Sequence, residues 1–376
     1  MLDHLIKREF PIIDCRHHLN HAAVAPWPRR TADAVKTFAD ENLNIGSSNY
    51  AHWMQIENSL RSRCAQIIGA PDQDSIAFLK NTSEGLSFVA YGFPWQQGDN
   101  VVISDQEFPS NRIVWESLAD SEVEVRQVAL PCSTDIESAI MSACNKRTRM
   151  ISISAVQYAS GMRIDLQKLG GLCKRQGVAL CVDAIQALGA IPIDVATQNI
   201  DFLVADGHKW LLGPEGLAIF YCSKEWRNQL RLHEFGWRMI ENPSDFDQKE
   251  WRPSPSGSRF ECGSPNMIGI HALNESLGLL LEIGLDVVER RVLERTEYLF
   301  EQISERSDLE LLSCREPGRY AGITVFRSRH YDNEELFRRL NEANVLCAVR
   351  GGGIRFSPHF YTPLESLDFA LDLVSG

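Results

Sequence analysis

The chain has 376 residues, 44% of them hydrophobic and 23% charged, with a formal net charge of -12. That length and apolar share suit one large or two ordinary globular domains with a sizeable core. The acidic balance sets the protein against nucleic acid or an anionic membrane as partner, because their phosphates would be repelled. The ten cysteines show no CxxC pair and no metal-ligand spacing, and several lie inside apolar runs, so reduced core thiols are expected. The N-terminal MLDHLIKREF holds no apolar signal core and no run reaches transmembrane length, which together with the thiols leads to the expectation of a cytoplasmic protein.

Residues 1–18 read as a short helical lead-in and an irregular stretch, in which His17 and His18 lack a third metal ligand. Leu19-Asn20-His21-Ala22-Ala23 follows, and Pro26 and Pro28 break the chain before a predicted helix over 31–43. Gly46-Ser47-Ser48-Asn49-Tyr50 is a polar loop, and helical spacing resumes over 54–68. A short strand over 75–79 leads to Asn81-Thr82-Ser83-Glu84-Gly85, where Asn81 is placed to cap a helix and leave the Thr82 and Ser83 amides at its positive end. Such a turn can seat a phosphate, although an ordinary capped helix has the same signature. The next strand, over 100–104, ends before Phe108-Pro109-Ser110-Asn111, with core packing and ligand stacking equally open for Phe108. Further strands are predicted over 123–128 and 150–156, the latter closed by Gln157-Tyr158, with helices over 135–143 and 166–176.

Two strand ends concentrate the chemistry. The apolar run 178–182 ends in Asp183-Ala184-Ile185-Gln186, and the run 202–205 ends at Asp206-Gly207 before His208, Lys209 and Trp210. A loop lysine taken at random is solvated, but one just past a buried strand sits where an α/β sheet opens to its ligands. Burial also lowers an amine's pKa, as Schiff-base chemistry requires. A carboxylate on one strand end and an amine on the other match the pyridoxal phosphate (PLP) arrangement, lysine on the aldehyde and acid on the pyridinium nitrogen. Strands alternate with helices from 75 to 222, the pattern of a mostly parallel sheet covered on both faces. Beyond it come a polar, proline-rich stretch over 241–257 that is expected to cover a site, and a long amphipathic helical region over 267–306 broken at Gly284. The remainder reads as α+β, with strands near 321–326 and 345–349, helices over 333–341 and 364–374, and a tight hairpin within Val349-Arg350-Gly351-Gly352-Gly353-Ile354-Arg355-Phe356-Ser357. The expected division is an N-terminal segment 1–20 packed with the small domain, a large PLP-binding domain 21–258 and a small C-terminal domain 259–376.

The pair VDAIQALG and DGHKWLLGPEG resembles the class V branch of the fold type I PLP enzymes, which holds cysteine desulfurases, kynureninase, isopenicillin N epimerase-like proteins and several aminotransferases. The resemblance runs from about Leu19 to about Leu373. It implies an α/β fold with a mostly parallel sheet, PLP as cofactor, Lys209 as its covalent anchor and acid/base, and Asp183 on the ring nitrogen. Gln186 and His208 fall near the ring and phosphate, and the family's phosphate turn falls on Thr82, Ser83 and Glu84. Phe108 stands where desulfurases carry a ring-covering histidine; it can stack but cannot move a proton. Tyr158, or Gln157, takes the place of an asparagine that bonds the cofactor's phenolic oxygen. Arg355 falls on the arginine that grips the substrate carboxylate, Asn20 and His21 fall on the N-terminal active-site segment, and Ser48 and Tyr50 fall on a loop that reaches toward the neighbouring subunit's active site. Arg259 to Asn266 resembles the RFExGTPN box, whose hydroxyl, here Ser264, reaches the partner subunit's cofactor, so a homodimer is implied.

The first functional reading is an aminotransferase acting on a small amino acid or amine. The alternative is a carbon–sulfur lyase, desulfurase-like or epimerase-like enzyme, and a third reading is a catalytically silent PLP-fold binding protein. Desulfurases carry a mobile cysteine just before the carboxylate-binding arginine. Here Gly351 to Ile354 offers no thiol and Cys347 lies in an apolar run, so a non-desulfurase branch is expected, with transamination favoured over elimination.

Overall fold

Short apolar runs separated by polar turns pair into the central sheet of the protein, which a computed structural model describes over residues 2–132 and 135–375. In chain order the first elements are α1 (Leu2–Glu9), β1 (His17–His18), α2 (Arg29–Ile45), α3 (Tyr50–Ile67), β2 (Ile76–Leu79), α4 (Thr82–Gly92), β3 (Asn100–Ser104) and α5 (Ser110–Glu116). They continue with β4 (Glu124–Val128), α6 (Ile136–Ser142), β5 (Thr148–Ser154), α7 (Leu166–Gln176), β6 (Ala179–Asp183), β7 (Phe202–Asp206), β8 (Ala218–Cys222) and α8 (Lys224–Arg227). Two long helices follow, α9 (Met267–Ile283) and α10 (Leu285–Glu305), separated by the expected Gly284. The chain closes with β9 (Leu309–Leu311), β10 (Thr324–Ser328), α11 (Asn333–Glu342), β11 (Val345–Leu346), β12 (Ala348–Arg350), β13 (Gly353–Phe356) and α12 (Leu364–Val374).

The main sheet runs β2-β8-β7-β6-β5-β3-β4, and β8 alone is antiparallel to its neighbours. Strands β3, β5, β6 and β7 therefore end on one edge, with Ser104, Ser154, Asp183 and Asp206 as their last residues. That edge is where an open α/β sheet leaves a ligand crevice. All residues of β3, β6, β7 and β8 are buried, as strands covered on both faces must be. Alternation across the pleat sends Val182, Leu203 and Ala205 into one core layer with Ile270 and Leu273 of α9, and Cys181, Phe202 and Val204 into the other with Leu86 and Phe88 of α4. The apolar α9 packs on α2 and α3; among the described residues no single helix is long and apolar enough to cross a membrane.

Strands β9, β10, β12 and β13 form a second, antiparallel sheet. The expected hairpin is its β12–β13 pair, turning at Gly351 and Gly352 with φ of 62° and 83°, the left-handed geometry a two-residue turn of this kind requires. A Cβ on Gly351 would stand 2.5 Å from the Ala159 carbonyl oxygen, so the turn presses on the loop after β5 as only glycine allows. His17 and His18 pair in parallel with Val345 and Leu346, and Asn20 bridges to Ser357, drawing the LNHAA segment beside β13. The expectation of uniformly reduced cysteines is corrected here. Cys132 and Cys314, 182 positions apart, are joined as a disulfide with Cα atoms 5.5 Å apart. Packing of the 313–323 segment against the loops after β4 and β5 brings them together, alongside the buried Arg319–Glu137 pair at 2.8 Å, and local spacing cannot reveal that.

Candidate active site

Lys209 is held by its neighbours rather than left on a free loop. The His208 carbonyl accepts from the Ala25 amide (2.8 Å), the Lys209 carbonyl from the Leu212 amide (3.0 Å) and the Trp210 carbonyl from His359 Nε2 (3.0 Å). Trp210 Nε1 donates to Gln186 Oε1 (3.0 Å), and Gln186 Nε2 donates to the Ala22 carbonyl (2.9 Å). The last glycine of VDAIQALG explains its place in that motif: at φ 96°, a Cβ on Gly189 would lie 2.3 Å from the Trp210 oxygen. The two motif loops touch there, which sets Lys209 beside Asp183 with little freedom to rearrange.

A cavity of about 390 Å³ opens at this edge of the sheet, lined by Lys209, Asp183, His208, Asp206, Gln186 and Ile185. Its other walls come from Asn81, Thr82, Ser83, Phe108, Ser110, Tyr158, Ala22, Ala23, Arg350 and Arg355. Burial lowers the Lys209 amine to about 8, against the opposing pull of Asp183. Burial raises Asp183 to about 7, with Glu107 and Asp206 adding to the rise and Lys209 and the Ile185 amide resisting it. Asn81 caps α4 by accepting the Glu84 amide (3.0 Å), which leaves the first-turn amides of Thr82 and Ser83 without an intrahelical acceptor. The Ser83 hydroxyl meets Ser110 Oγ at 2.8 Å, Thr82 Oγ1 accepts from the Asp206 amide at 3.2 Å, and His208 Nδ1 lies 3.0 Å from Asp206 Oδ1. Phe108 stands edge-to-face with Tyr158, centroids 5.1 Å apart, with Lys209 Nζ 5.8 Å from the Phe108 centroid. Arg355 is 3% exposed; it donates to the Tyr158 carbonyl (2.8 Å) and to Asn20 Oδ1 (3.5 Å), while its Nε has no hydrogen-bond partner. Burial and the neighbouring Arg350 push its guanidinium down to about 10.

This donor set fits PLP. A helix start with free amides and two hydroxyls suits a phosphate, an aromatic ring suits the cofactor face, a carboxylate suits the ring nitrogen and a buried amine suits the aldehyde. The residues the cavity gathers are Thr82, Ser83, Phe108, Tyr158, Asp183, Gln186, His208, Lys209 and Arg355. Between the two candidates for the phenolic oxygen, Tyr158 lines the cavity, whereas Gln157 is fully buried with Nε2 committed to Ser104 and Glu107.

Four candidate residues lie outside this cavity, and two of them, Tyr50 and Ser264, are those the resemblance assigns to the neighbouring subunit's site. His21 is fully buried, donating through Nδ1 to the Ser357 carbonyl (2.9 Å) and accepting at Nε2 from the Tyr361 hydroxyl (2.6 Å), so both nitrogens are used and it cannot also bind substrate. Asn20 stands behind Arg355 as its hydrogen-bond partner rather than on the cavity wall. Tyr50, 42% exposed at the start of α3, packs near Trp53. Ser264 lines a separate cavity with Phe78, Lys80, Glu84 and Glu234, and the box around it is tied down by Glu261, which accepts from Arg61 (2.7 Å) and the Phe78 amide (2.8 Å). The irregular 233–256 stretch forms its own aromatic groove, which does not share residues with the Lys209 cavity. Sequence reasoning passed over Asp206, Ser110 and Arg350; Asp206 had a signal, since it ends β7 as Asp183 ends β6.

Residues 17–361 match the class-V aminotransferase family. The chain is 27% identical to a probable cysteine desulfurase of Methanothermobacter thermautotrophicus over 96% of its own length and 94% of that protein's. It is also 27% identical to a cysteine desulfurase of Salmonella agona, covering 92% of this chain and 87% of that one. These relatives give no support to setting the chain in a branch apart from desulfurases. Among solved structures, the cystine C–S lyase C-DES in complex with its product cysteine persulfide shares the fold with a TM-score of 0.89 at 21% identity, over 97% of this chain and 99% of that one. A C-DES mutant with glycine covalently linked to its PLP matches with a TM-score of 0.90 at 20% identity, over 98% of each chain. The chain belongs to the class-V aminotransferase family and is a PLP-dependent enzyme of fold type I.

Proposed function

We propose that the protein cleaves the carbon–sulfur bond of a small amino acid of the cysteine or cystine class by elimination, without using a thiol of its own. The observation that carries this reading is the make-up of the cavity wall: Lys209, Asp183 and Arg355 meet there, and among the described residues no cysteine does. Cys347 is 5% exposed and burial pushes its thiol up to about 12, so it is unsuited to accept sulfur from a substrate. The desulfurase relatives and the likeness to a cystine lyase favour sulfur chemistry over the transamination expected from the sequence, which would use the same residues.

The cofactor, when bound, supplies the electron sink that weakens bonds at Cα. The chain's own residues bind, orient and move protons. Arg355, buried with an unpaired Nε–H, takes the α-carboxylate through its planar fork. The Lys209 amine, brought to about 8 by burial, is placed to take the Cα proton. Asp183 offers negative charge to the ring nitrogen, and Phe108 covers the site without being able to donate a proton. The electron pair left by the Cα–H bond forms a Cα=Cβ bond as sulfur departs with the Cβ–S pair, and addition of water to the remainder gives pyruvate and ammonium. A homodimer belongs to this reading: Ser264 lies away from its own chain's cavity, and the exposed Phe235, Trp237, Phe246 and Trp251 are apolar surface that a second copy would cover. Incubating the PLP-loaded enzyme with cystine, cysteine and a panel of other amino acids tests the function. Pyruvate with released persulfide or sulfide is expected; keto-acid formation with stoichiometric amino transfer and no sulfur release would replace this reading with transamination.

A further inference from the structure

Glu107 stands one residue before Phe108, is 6% exposed and is not among the residues that line the cavity. Its two oxygens accept hydrogen bonds from Ser104 Oγ (2.7 Å), Asn111 Nδ2 (2.8 Å), Gln157 Nε2 (2.8 Å), Ser154 Oγ (2.5 Å) and the Ser154 amide (3.1 Å). A carboxylate so deeply buried is strongly unfavourable unless donors surround it, and here five do. They come from the end of β3, the first turn of α5, the end of β5 and the loop after it. Each of these segments also carries part of the site. Phe108 follows Glu107 directly. Ser154 is the register partner of Asp183. Tyr158 follows Gln157, and its carbonyl accepts from Arg355. Asn111 is itself fully buried and passes the network on, accepting from Trp115 Nε1 (2.9 Å) and Ser152 Oγ (2.6 Å).

We propose that Glu107 is a positioning residue for the cofactor site: one carboxylate gathers Ser104, Asn111, Ser154 and Gln157, and so fixes Phe108 and Tyr158 as the aromatic wall beside Lys209. It touches neither cofactor nor substrate and acts through the residues it holds. Its negative charge also lies close enough to bear on Asp183, after burial itself. The inference rests on the cofactor-site part of the proposed function and is independent of which substrate bond is broken.

Glu107→Gln keeps the shape but replaces an acceptor oxygen by an amide donor, which must face donors from Asn111, Ser154 or Gln157. Glu107→Asp keeps the charge and both acceptors. Each variant is reconstituted with PLP and examined without substrate, by cofactor titration and by visible circular dichroism of the bound cofactor. Loosening the wall is expected to weaken PLP binding about tenfold in Glu107→Gln and to diminish the visible dichroic band, with Glu107→Asp recovering much of both. A folded Glu107→Gln protein whose PLP affinity and dichroic band match wild type overturns the proposal, as does an equal loss in the Gln and Asp variants. Should Glu107→Gln not fold, Ser104→Ala decides in its place: it removes one donor, and an unchanged affinity and band there also overturn the proposal. Because no substrate is present, a failure of carbon–sulfur cleavage in the wild type bears on the proposed function and leaves this test intact.

Discussion

Replacing Asp183 by Asn removes a negative charge from beside the amine that must attack the cofactor. Burial lowers Lys209 to about 8, and Asp183 works against that shift. At neutral pH such an amine is uncharged in roughly a tenth of molecules, compared with about three in ten thousand for an ordinary lysine, an advantage of about 300-fold for attack on an aldehyde. The Asp183 carboxyl, raised to about 7, is roughly half ionised at pH 7 and mostly ionised at the amine's midpoint near 8, so its removal pushes the amine lower still. If the lost attraction is about 1.4 kcal/mol, or one pH unit, the uncharged fraction at neutral pH rises from roughly a tenth to about a half. The assay is the rate at which apoprotein takes up PLP, followed by the growth of the visible band against pH, with a free alkylamine as control for titration of the cofactor. Wild type should show a midpoint near 8 and Asp183→Asn a lower one, with faster uptake at neutral pH. Turnover should move the other way, falling on the order of a hundredfold, because Asn cannot favour the protonated ring. A wild-type midpoint close to that of a free lysine, or an upward shift in Asp183→Asn, would refute the reasoning.

Borohydride reduction of the PLP-loaded protein should fix the cofactor on Lys209, and Lys209→Ala should carry no label; a label on another lysine would sink the assignment. Arg355→Lys keeps the charge but loses the planar fork, so the KM for amino acids should rise about tenfold or more while substrates lacking a carboxylate change little. An equal loss on both classes would instead reflect the lost contact with the Tyr158 carbonyl. His21→Leu strands the Tyr361 hydroxyl and the Ser357 carbonyl, and should lower stability by about 1–3 kcal/mol in thermal or denaturant unfolding. A raised KM at unchanged stability would restore His21 as a substrate ligand. Cys347→Ala should leave sulfur release from cystine within about twofold of wild type, and a trapped persulfide on Cys347 in the parent protein would contradict the thiol-free reading.

Strands β2 to β7 and the polar residues at their ends were legible in the sequence, whereas β1, β8 and β9 were not singled out by it. Runs such as Ala179–Asp183 and Phe202–Asp206 are apolar throughout because both faces are covered, and such a run ending in a charged residue marks the sheet edge. The Asn81 cap and the Gly284 break were readable for a similar reason, since capping and helix interruption depend on neighbours within a turn. Burial of polar groups was not readable in this way. His21 resembles a substrate ligand until Ser357 and Tyr361, more than three hundred positions later, are seen to occupy both its nitrogens. Gln157 and Tyr158 are adjacent, and only the placement of Glu107 and Ser104 decides that the first turns inward while the second lines the cavity. The pairing of Cys132 with Cys314 belongs to the same class. Local pattern determines where an apolar strand begins and ends. The partner of a buried hydrogen-bonding group or thiol is chosen by contacts distant in sequence, and it exists only once the sheet edge, the small sheet and the N-terminal segment have come together.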